Sequence, residues 1–131
     1  MNEIFQTPPL IMTKYVIDNI QNCSTTRGWI CGHFLPEGHP MKTSELEVKY
    51  SVLQPGETQG THFHPQGTEI NFIIHGKVKY LIGGEERILS DGDFVFMRSN
   101  VDEAVLEVYE TTTMLSARTP SLPENKVIKN A

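Results

Sequence analysis

The chain has 131 residues, of which 38% are hydrophobic, so it is long enough for one compact domain with a buried core. Its 16 acidic and 11 basic residues give a formal net charge of −5. No run of lysine or arginine forms the basic patch that nucleic acids and anionic membranes attract. We therefore expect neither nucleic acid nor membrane among its partners.

The N-terminal segment and the cysteines indicate the cellular location. Residues 1–18 mix Glu3, Lys14 and two prolines with apolar residues, which is unlike a secretory signal. The chain nowhere approaches the roughly 20 consecutive apolar residues of a membrane span. Cys23 and Cys31 form no CxxC motif and fit free thiols in a reducing compartment. The sequence therefore predicts a cytoplasmic protein.

Alternating apolar and polar residues predict β-strands along much of the chain. Residues 45–52 and 77–82 alternate in this way, as half-buried strands do. Turn sequences that contain Gly, Pro and Asp separate the strands at short intervals. No window has a helical period with matching caps. The pattern predicts an all-β domain, either an antiparallel sandwich or a barrel.

A pair of histidines followed by a glutamate is the main functional signal. His62 and His64 project to the same side of a strand, about 6.6 Å apart along the backbone. The turn at 65–68 reverses the chain, so Glu69 begins a return strand beside them. Two imidazoles and a carboxylate suit Fe, Mn, Ni, Co or Zn, with positions left for water or substrate. The alternative is two polar histidines on a solvated face.

The residues around the pair favour the metal site over the solvated face. The histidines alternate with Phe63, and the return strand at 69–74 is apolar on both sides of Asn71. This composition is typical of a strand buried within a barrel. An inward-facing glutamate and asparagine need polar partners there, and a bound metal with its surrounding hydrogen bonds would supply them.

The same residues form a known motif. Gly56, His62, His64, Glu69 and Gly76 match G-x5-H-x-H-x4-E-x6-G at every position, and in this the chain resembles the cupin superfamily. The resemblance implies a single-domain jelly-roll β-barrel, also called a double-stranded β-helix. It further implies that the two histidines and the glutamate bind one divalent metal in the barrel mouth, while the glycines serve turns.

The second cupin motif, G-x5-P-x-G-x2-H-x3-N, keeps its spacing but loses most of its identities. From Gly92 onward, Arg98 stands at the proline, Asn100 at the glycine, Glu103 at the histidine and Glu107 at the asparagine. Asparagine tolerates a left-handed backbone, so the turn is expected to keep its shape. No histidine follows in the sequence, so the usual fourth imidazole cannot come from this end of the chain.

Three roles are open to Glu103. It can be a fourth metal ligand, a general acid or base with a raised pKa, or a solvent-facing residue. Strand alternation predicts that Glu107 faces the same way, either beside the metal ligands or on an acidic surface. Arg98 is a candidate for gripping an anionic substrate. His33 and His39 are expected on a surface loop.

The resemblance divides the chain into an N-terminal arm with leading strands at 1–44, the barrel core at 45–118 and an extended tail at 119–131. In small cupins such an arm often joins the sheet of a neighbouring subunit, so we expect a homodimer. Trp29 is expected in the core or in the dimer contact.

Two functions are compatible with these residues. The first is a metal-dependent enzyme acting on a small organic metabolite, with Glu103 as its catalytic residue. The second is a non-catalytic module that binds a metal or a small ligand. Either function requires one divalent transition metal, Fe, Mn, Ni or Zn, or a small molecule in the barrel mouth, and the expected metal ligands are His62, His64, Glu69 and Glu103.

Overall fold

A computed structural model of the protein describes residues 8–12 and 14–129, which form mostly β-strands. Part of the predicted N-terminal arm and the end of the predicted tail, residues 1–7, 13, 130 and 131, therefore lie outside the described residues. A 3-10 helix, Ile20–Thr26, is present between the second and third strands. The strands are β1 (Leu10–Ile11), β2 (Val16–Ile17), β3 (Trp29–Cys31), β4 (Glu47–Leu53), β5 (His62–Phe63), β6 (Thr68–Ile82), β7 (Glu85–Ser90), β8 (Phe94–Met97), β9 (Glu103–Thr119) and β10 (Val127–Ile128).

The two longest strands organise the molecule. β6, with 15 residues, and β9, with 17, pair antiparallel over most of their length. β9 also pairs with β4 and β5, β6 pairs with β7 and β8, and β3 and β10 extend the sheet. The resulting eight-stranded sheet curls into a half-barrel, and the predicted all-β class is confirmed.

The inner face of the sheet changes from apolar to polar along its strands. Ile73 on β6 is paired with Met114 on β9, and both are buried in the apolar core. One inward position further along, Asn71 is paired with Ser116. Burial of the apolar side chains stabilises the fold by about 1.5–3 kcal/mol each. The polar positions line a cavity. The core cluster consists of Ile73, Val78, Tyr80, Val105, Val108 and Met114.

A bulge in β9 overturns one sequence-based expectation. Lys79 is paired with Glu107, but the next residue of β6, Tyr80, is paired with Val105, so β9 contains one extra residue. A bulge of this kind reverses the phase of side-chain alternation. Glu103 is consequently buried whereas Glu107 is exposed. The prediction that these two glutamates face the same way is wrong.

The segments on either side of the predicted core also contact the barrel. β3 pairs with β4, and β10 pairs with β5. Ser121 and Asn125, both in the predicted tail, are buried. By contrast, β1 and β2 form a separate hairpin. The division at 1–44, 45–118 and 119–131 remains a prediction. No helix within the described part of the chain is long and apolar enough to cross a membrane.

The two motif glycines provide a test of the fold. Gly76 and Gly56 both have positive φ, of 124° and 96°, but only Gly76 is crowded. A Cβ on Gly76 would lie 2.6 Å from the Cα of Thr112, whereas a Cβ on Gly56 meets nothing within 4 Å. We expect Gly56→Ala to lower the free energy of unfolding by about 1–2 kcal/mol through backbone strain alone. Gly76→Ala should lower the free energy of unfolding by about 1–3 kcal/mol more than Gly56→Ala does, because the added Cβ would clash with Thr112.

Denaturant unfolding of the two variants measures this difference. Equal losses of stability would contradict the close β6–β9 approach at Gly76.

Candidate metal centre

The polar inner face of the sheet lines a cavity of about 240 Å³. His62, His64, Glu69 and Glu103 all line it, so the fold brings the four residues predicted from the motifs to one place. All four are buried. Side chains from β4, β6, β9 and the C-terminal segment complete its walls.

Backbone carbonyls fix the orientation of both imidazoles. The Nδ1–H of His62 donates to the carbonyl of Gly60 over 2.9 Å, and that of His64 donates to the carbonyl of Asn125 over 2.6 Å. A carbonyl only accepts, so the proton sits on Nδ1 and each Nε2 keeps its lone pair. Each Nε2 approaches the carboxyl group of Glu103 across the cavity. Hydrogen bonds of this kind commonly orient metal-bound histidines.

Both histidines are neutral at physiological pH. Burial lowers the pKa of His62. Burial and the nearby Arg118 guanidinium lower the pKa of His64 to about 4. Neutral imidazole is the form that binds a metal.

Glu103 lies on β9, where it is paired with His62 on β5, and it is the third residue beside the two histidines. Its Oε1 accepts hydrogen bonds from the Tyr80 hydroxyl over 2.5 Å and from the Asn71 amide over 3.1 Å. Its Oε2 has no hydrogen-bond partner among the described residues. That oxygen lies 3.7 Å from Nε2 of His62 and 3.6 Å from Nε2 of His64. Glu103 is 2% exposed, which excludes the solvent-facing role.

The environment of Glu103 favours its protonated form until a cation arrives. Burial, followed by the negative charge of Glu69, raises the pKa of Glu103 to about 8. Tyr80 is affected in turn, because burial and the Glu103 charge raise the pKa of its hydroxyl well above the usual value. A buried carboxyl with one unpartnered oxygen is costly, and a bound cation would offset that cost.

The donor set of His62, His64 and Glu103 fits a divalent transition metal. One ligand atom from each residue lies within 4.8 Å of the others. Two neutral nitrogens and one hard oxygen suit Fe, Mn, Ni or Zn. The unpartnered Oε2 faces the same point as both nitrogens, so the residues present are compatible with the metal that the motif predicts.

Glu69, the third motif residue, is held by an arginine that the sequence analysis did not single out. Its Oε1 accepts from Nη2 of Arg118 over 2.9 Å and from Nε over 3.2 Å. The same Nη2 donates to Nε2 of His64 over 2.7 Å. Burial raises the pKa of Glu69, but the neighbouring Glu103 carboxyl group, the charge and hydrogen bonds of Arg118 and the nearby His64 outweigh burial and lower it. Its role as a metal ligand stays a prediction.

Arg118 spans three strands. It is paired with Glu47 on β4 and with Glu69 on β6, and its guanidinium forms ion pairs with both carboxylates. Ser121 donates to the other oxygen of Glu47 over 2.9 Å. We call Glu47, Arg118 and Glu69 the arginine clamp. Strand alternation in the sequence predicts which residues share a face with Glu47, Glu69 and Arg118. It does not show that this polar face points into the barrel.

The remaining sequence candidates fall in different places. His33 lies at the cavity rather than on the outer surface, and its N–H and ring both contact the Ser121 hydroxyl. Trp29 also lines the cavity. His39 does not line it, and Arg98 is exposed outside it, above a phenylalanine ring.

The degenerate turn of the second motif keeps its predicted form. Asn100 has φ 63°, the left-handed conformation that glycine usually supplies. Its N–H donates to the carbonyl of His64 over 2.8 Å, so the turn also supports the metal centre.

Comparison with known proteins places this fold. The family profile described as cupin domain matches residues 49–108. The sequence has no significant match among curated proteins. A Klebsiella pneumoniae protein with a double-stranded β-helix domain superposes with a TM-score of 0.60 at 22% identity, over 74% of this chain and 90% of that one.

Two further structures have the same fold. KdgF from a Halomonas species gives a TM-score of 0.57 at 18% identity, over 63% of this chain and 74% of that one. Oxalate decarboxylase from Bacillus subtilis gives 0.56 at 19% identity, over 66% of this chain but 24% of that one. The superpositions show a shared fold, and the predicted jelly-roll barrel is confirmed.

The arginine clamp provides a stability test. Arg118→Met leaves two buried carboxylates without their cation, so we expect a loss of about 3–5 kcal/mol in the free energy of unfolding. Arg87→Met is the control, because Arg87 forms an exposed ion pair with Glu85 and its loss should cost below about 1 kcal/mol. Chemical denaturation measures both. Similar small losses in the two variants would mean that the clamp does not stabilise the barrel.

Proposed function

Since this chain belongs to the cupin superfamily, we propose that it holds one divalent transition metal in the barrel mouth and acts as a metal-dependent enzyme on a small organic metabolite. The observation that carries this proposal is the unpartnered Oε2 of Glu103, buried opposite two neutral Nε2 atoms. A buried acceptor is seldom left without a partner. Fe, Mn, Ni or Zn would supply that partner.

The proposed ligands are His62, His64 and Glu103, with Glu69 as the fourth if Arg118 releases it. When bound, the metal would polarise a substrate oxygen or activate O₂. The residues around it have separate tasks. The carbonyls of Gly60 and Asn125 hold the imidazoles in place, and the Tyr80 hydroxyl and the Asn71 amide hold the carboxyl group of Glu103.

Glu103 is the proposed catalytic residue. In the metal-free protein its pKa is about 8, so binding of a cation at Oε2 would displace its proton. Tyr80 and Asn71 hold Oε1 and thereby fix the direction of Oε2. Several proteins of similar fold are enzymes, and this supports an enzymatic role. They include oxalate oxidase, oxalate decarboxylase and salicylate 1,2-dioxygenase.

A second candidate function is a non-catalytic module that binds a metal or a small ligand. The bond from Arg118 to Nε2 of His64 supports it, because a guanidinium already satisfies one of the proposed ligand atoms. In that case the cation would contribute to stability or sensing rather than to turnover.

We further propose a cytoplasmic homodimer. The free thiols of Cys23 and Cys31 support the cytoplasmic location. Exposed apolar side chains on the β1–β2 hairpin support the dimer, because a hairpin of this composition gains stability when a partner covers it. The exposed side chains of this segment are Leu10, Ile11, Met12, Tyr15 and Ile17.

Elemental analysis of protein purified without a histidine tag tests the metal site. We expect about one Fe, Mn, Ni or Zn per chain in the wild type, none after His62→Ala and less after Glu103→Gln. His75→Ala is the control, because His75 is exposed outside the cavity and its loss should leave the metal content unchanged. A metal-free wild type, or equal metal content in all variants, would contradict the proposed site.

Turnover separates the two candidate functions. For an enzyme, His62→Ala should abolish a reaction of the wild type detected by oxygen uptake or by product analysis on a panel of small metabolites. For a binding module, the same substitution should only lower the melting temperature, since a ligand that binds the folded state stabilises it.

Sedimentation velocity at micromolar concentration tests the homodimer. The wild type should sediment as a dimer, and Ile11→Lys combined with Ile17→Lys should shift it to a monomer by placing charge in the apolar contact. Ile128→Lys is the control, since Ile128 is equally exposed but lies on β10. A monomeric wild type would overturn the proposal.

A further inference from the structure

One lysine faces the cavity from β4. The alternation of this strand places Glu47, Lys49 and Ser51 on the cavity side, and all three line it. Lys49 pairs with Trp29 on β3 and with Ser116 on β9, two residues that also line the cavity. The amine is therefore part of the inner surface and not of the solvated outer face.

The ammonium group of Lys49 has no carboxylate partner among the described residues. Glu47, on the same face of the strand, is already paired with Arg118. Nζ of Lys49 lies 5.1 Å from the centre of the Trp29 ring, a contact that positions the cation but leaves its charge uncompensated. A half-buried lysine without an acid is unusual in a folded protein.

Other cations reinforce the positive charge at this side of the cavity. Lys126 lines the same cavity and forms no ion pair in the part of the chain that the structure describes. Burial lowers the pKa of Lys49, and the charges of Arg27 and Lys126 lower it further. Glu124 also lines the cavity, but no ion pair joins it to either lysine.

The strand register places this lysine within reach of the metal centre. Lys49, Ser116 and Asn71 are paired in one row across β4, β9 and β6. Asn71 donates to Glu103, so the far end of the row touches the proposed ligands. Two strand spacings separate Lys49 from Asn71, about 10 Å between backbones, and the side chains shorten the gap.

We propose that the barrel mouth recognises a small organic acid, whose carboxylate pairs with Lys49 while the rest of the molecule extends toward His62, His64 and Glu103. The inference rests on the proposed function in taking the cavity as a small-molecule site, and it names the substrate class. Arg118 does not supply this recognition, because two carboxylates already occupy its guanidinium. A carboxylate at Lys49 removes the uncompensated charge and forms a charge-assisted hydrogen bond.

Two pairs of probes test this recognition, the acids succinate and benzoate and their uncharged amides succinamide and benzamide. Trp29 is the sole tryptophan of the chain and lies beneath the Lys49 amine, so its fluorescence reports binding there. We expect at least one acid to bind at least about tenfold more tightly than its amide. Lys49→Met should weaken the binding of that acid by about tenfold or more and leave the binding of its amide unchanged.

Two further variants separate the site from general charge. Lys77→Met is the matched control, because Lys77 also lies over an aromatic ring, that of Tyr109, but is exposed outside the cavity. It should bind the acid as the wild type does. Lys49→Arg should restore binding to within about threefold of the wild type, since it keeps the cation. Calorimetric titration provides a second readout that does not depend on Trp29.

The outcomes are distinct. The proposal is overturned if neither acid binds, if the amides bind as well as the acids, or if Lys49→Met binds the acid as the wild type does. Metal content measured on the same samples separates this result from the metal proposal. If the protein contains no metal but binds the acid through Lys49, the metal centre is rejected and the anion site is retained. If the protein contains the metal but does not bind the acid, the anion site is rejected and the metal centre is retained.

Discussion

The ion pairs of one guanidinium determine how the barrel mouth is built. Arg118 joins the inner faces of β4, β9 and β6 by pairing with Glu47 and Glu69. Buried carboxylates on the two strands that flank β9 would repel each other without a cation between them. Because this cation belongs to the chain, the polar end of the barrel can form before any metal or ligand binds.

The arginine clamp also explains why Glu103 differs from its neighbours. One guanidinium pairs with both Glu47 and Glu69 and offsets only one of their two charges, and hydrogen bonds from Tyr80 and Asn71 satisfy only one oxygen of Glu103. Burial, and after it the negative charge retained on Glu69, disfavours a charge at Glu103 and raises the pKa of that carboxyl group. The clamp thus leaves Glu103 and His62 available for a cation, whereas Nε2 of His64 accepts a hydrogen bond from Arg118 that a cation would have to displace.

The sequence located the four candidate ligands at the cavity better than it located the residues that surround them. Residue spacing alone places His62 and His64 on one face, and the spacing of the degenerate second motif locates Glu103. Neither depends on long-range register. Arg118 escaped detection because its partners come from distant strands, and a charged residue in an alternating strand is ordinarily assigned to the solvent side. Glu107 was misplaced because a bulge in β9 reverses the alternation, and no local signal marks that bulge.

Both acids and cations line the cavity, and the balance of their charges restricts what the cavity can accept. The clamp and Glu103 place acids around the histidines, whereas Lys49 and Lys126 contribute cations without acid partners in the described chain. A divalent ion at the histidines, together with Arg118, Lys49 and Lys126, would bring five positive charges to a cavity that is lined by four carboxylates, those of Glu47, Glu69, Glu103 and Glu124, so positive charge would be in excess. An anion is the ligand that restores balance, and the row of paired residues from Lys49 to Asn71 gives it a polar path to the metal centre. The two proposed ligands would therefore favour each other: a bound cation would attract the anion, and a bound anion would attract the cation.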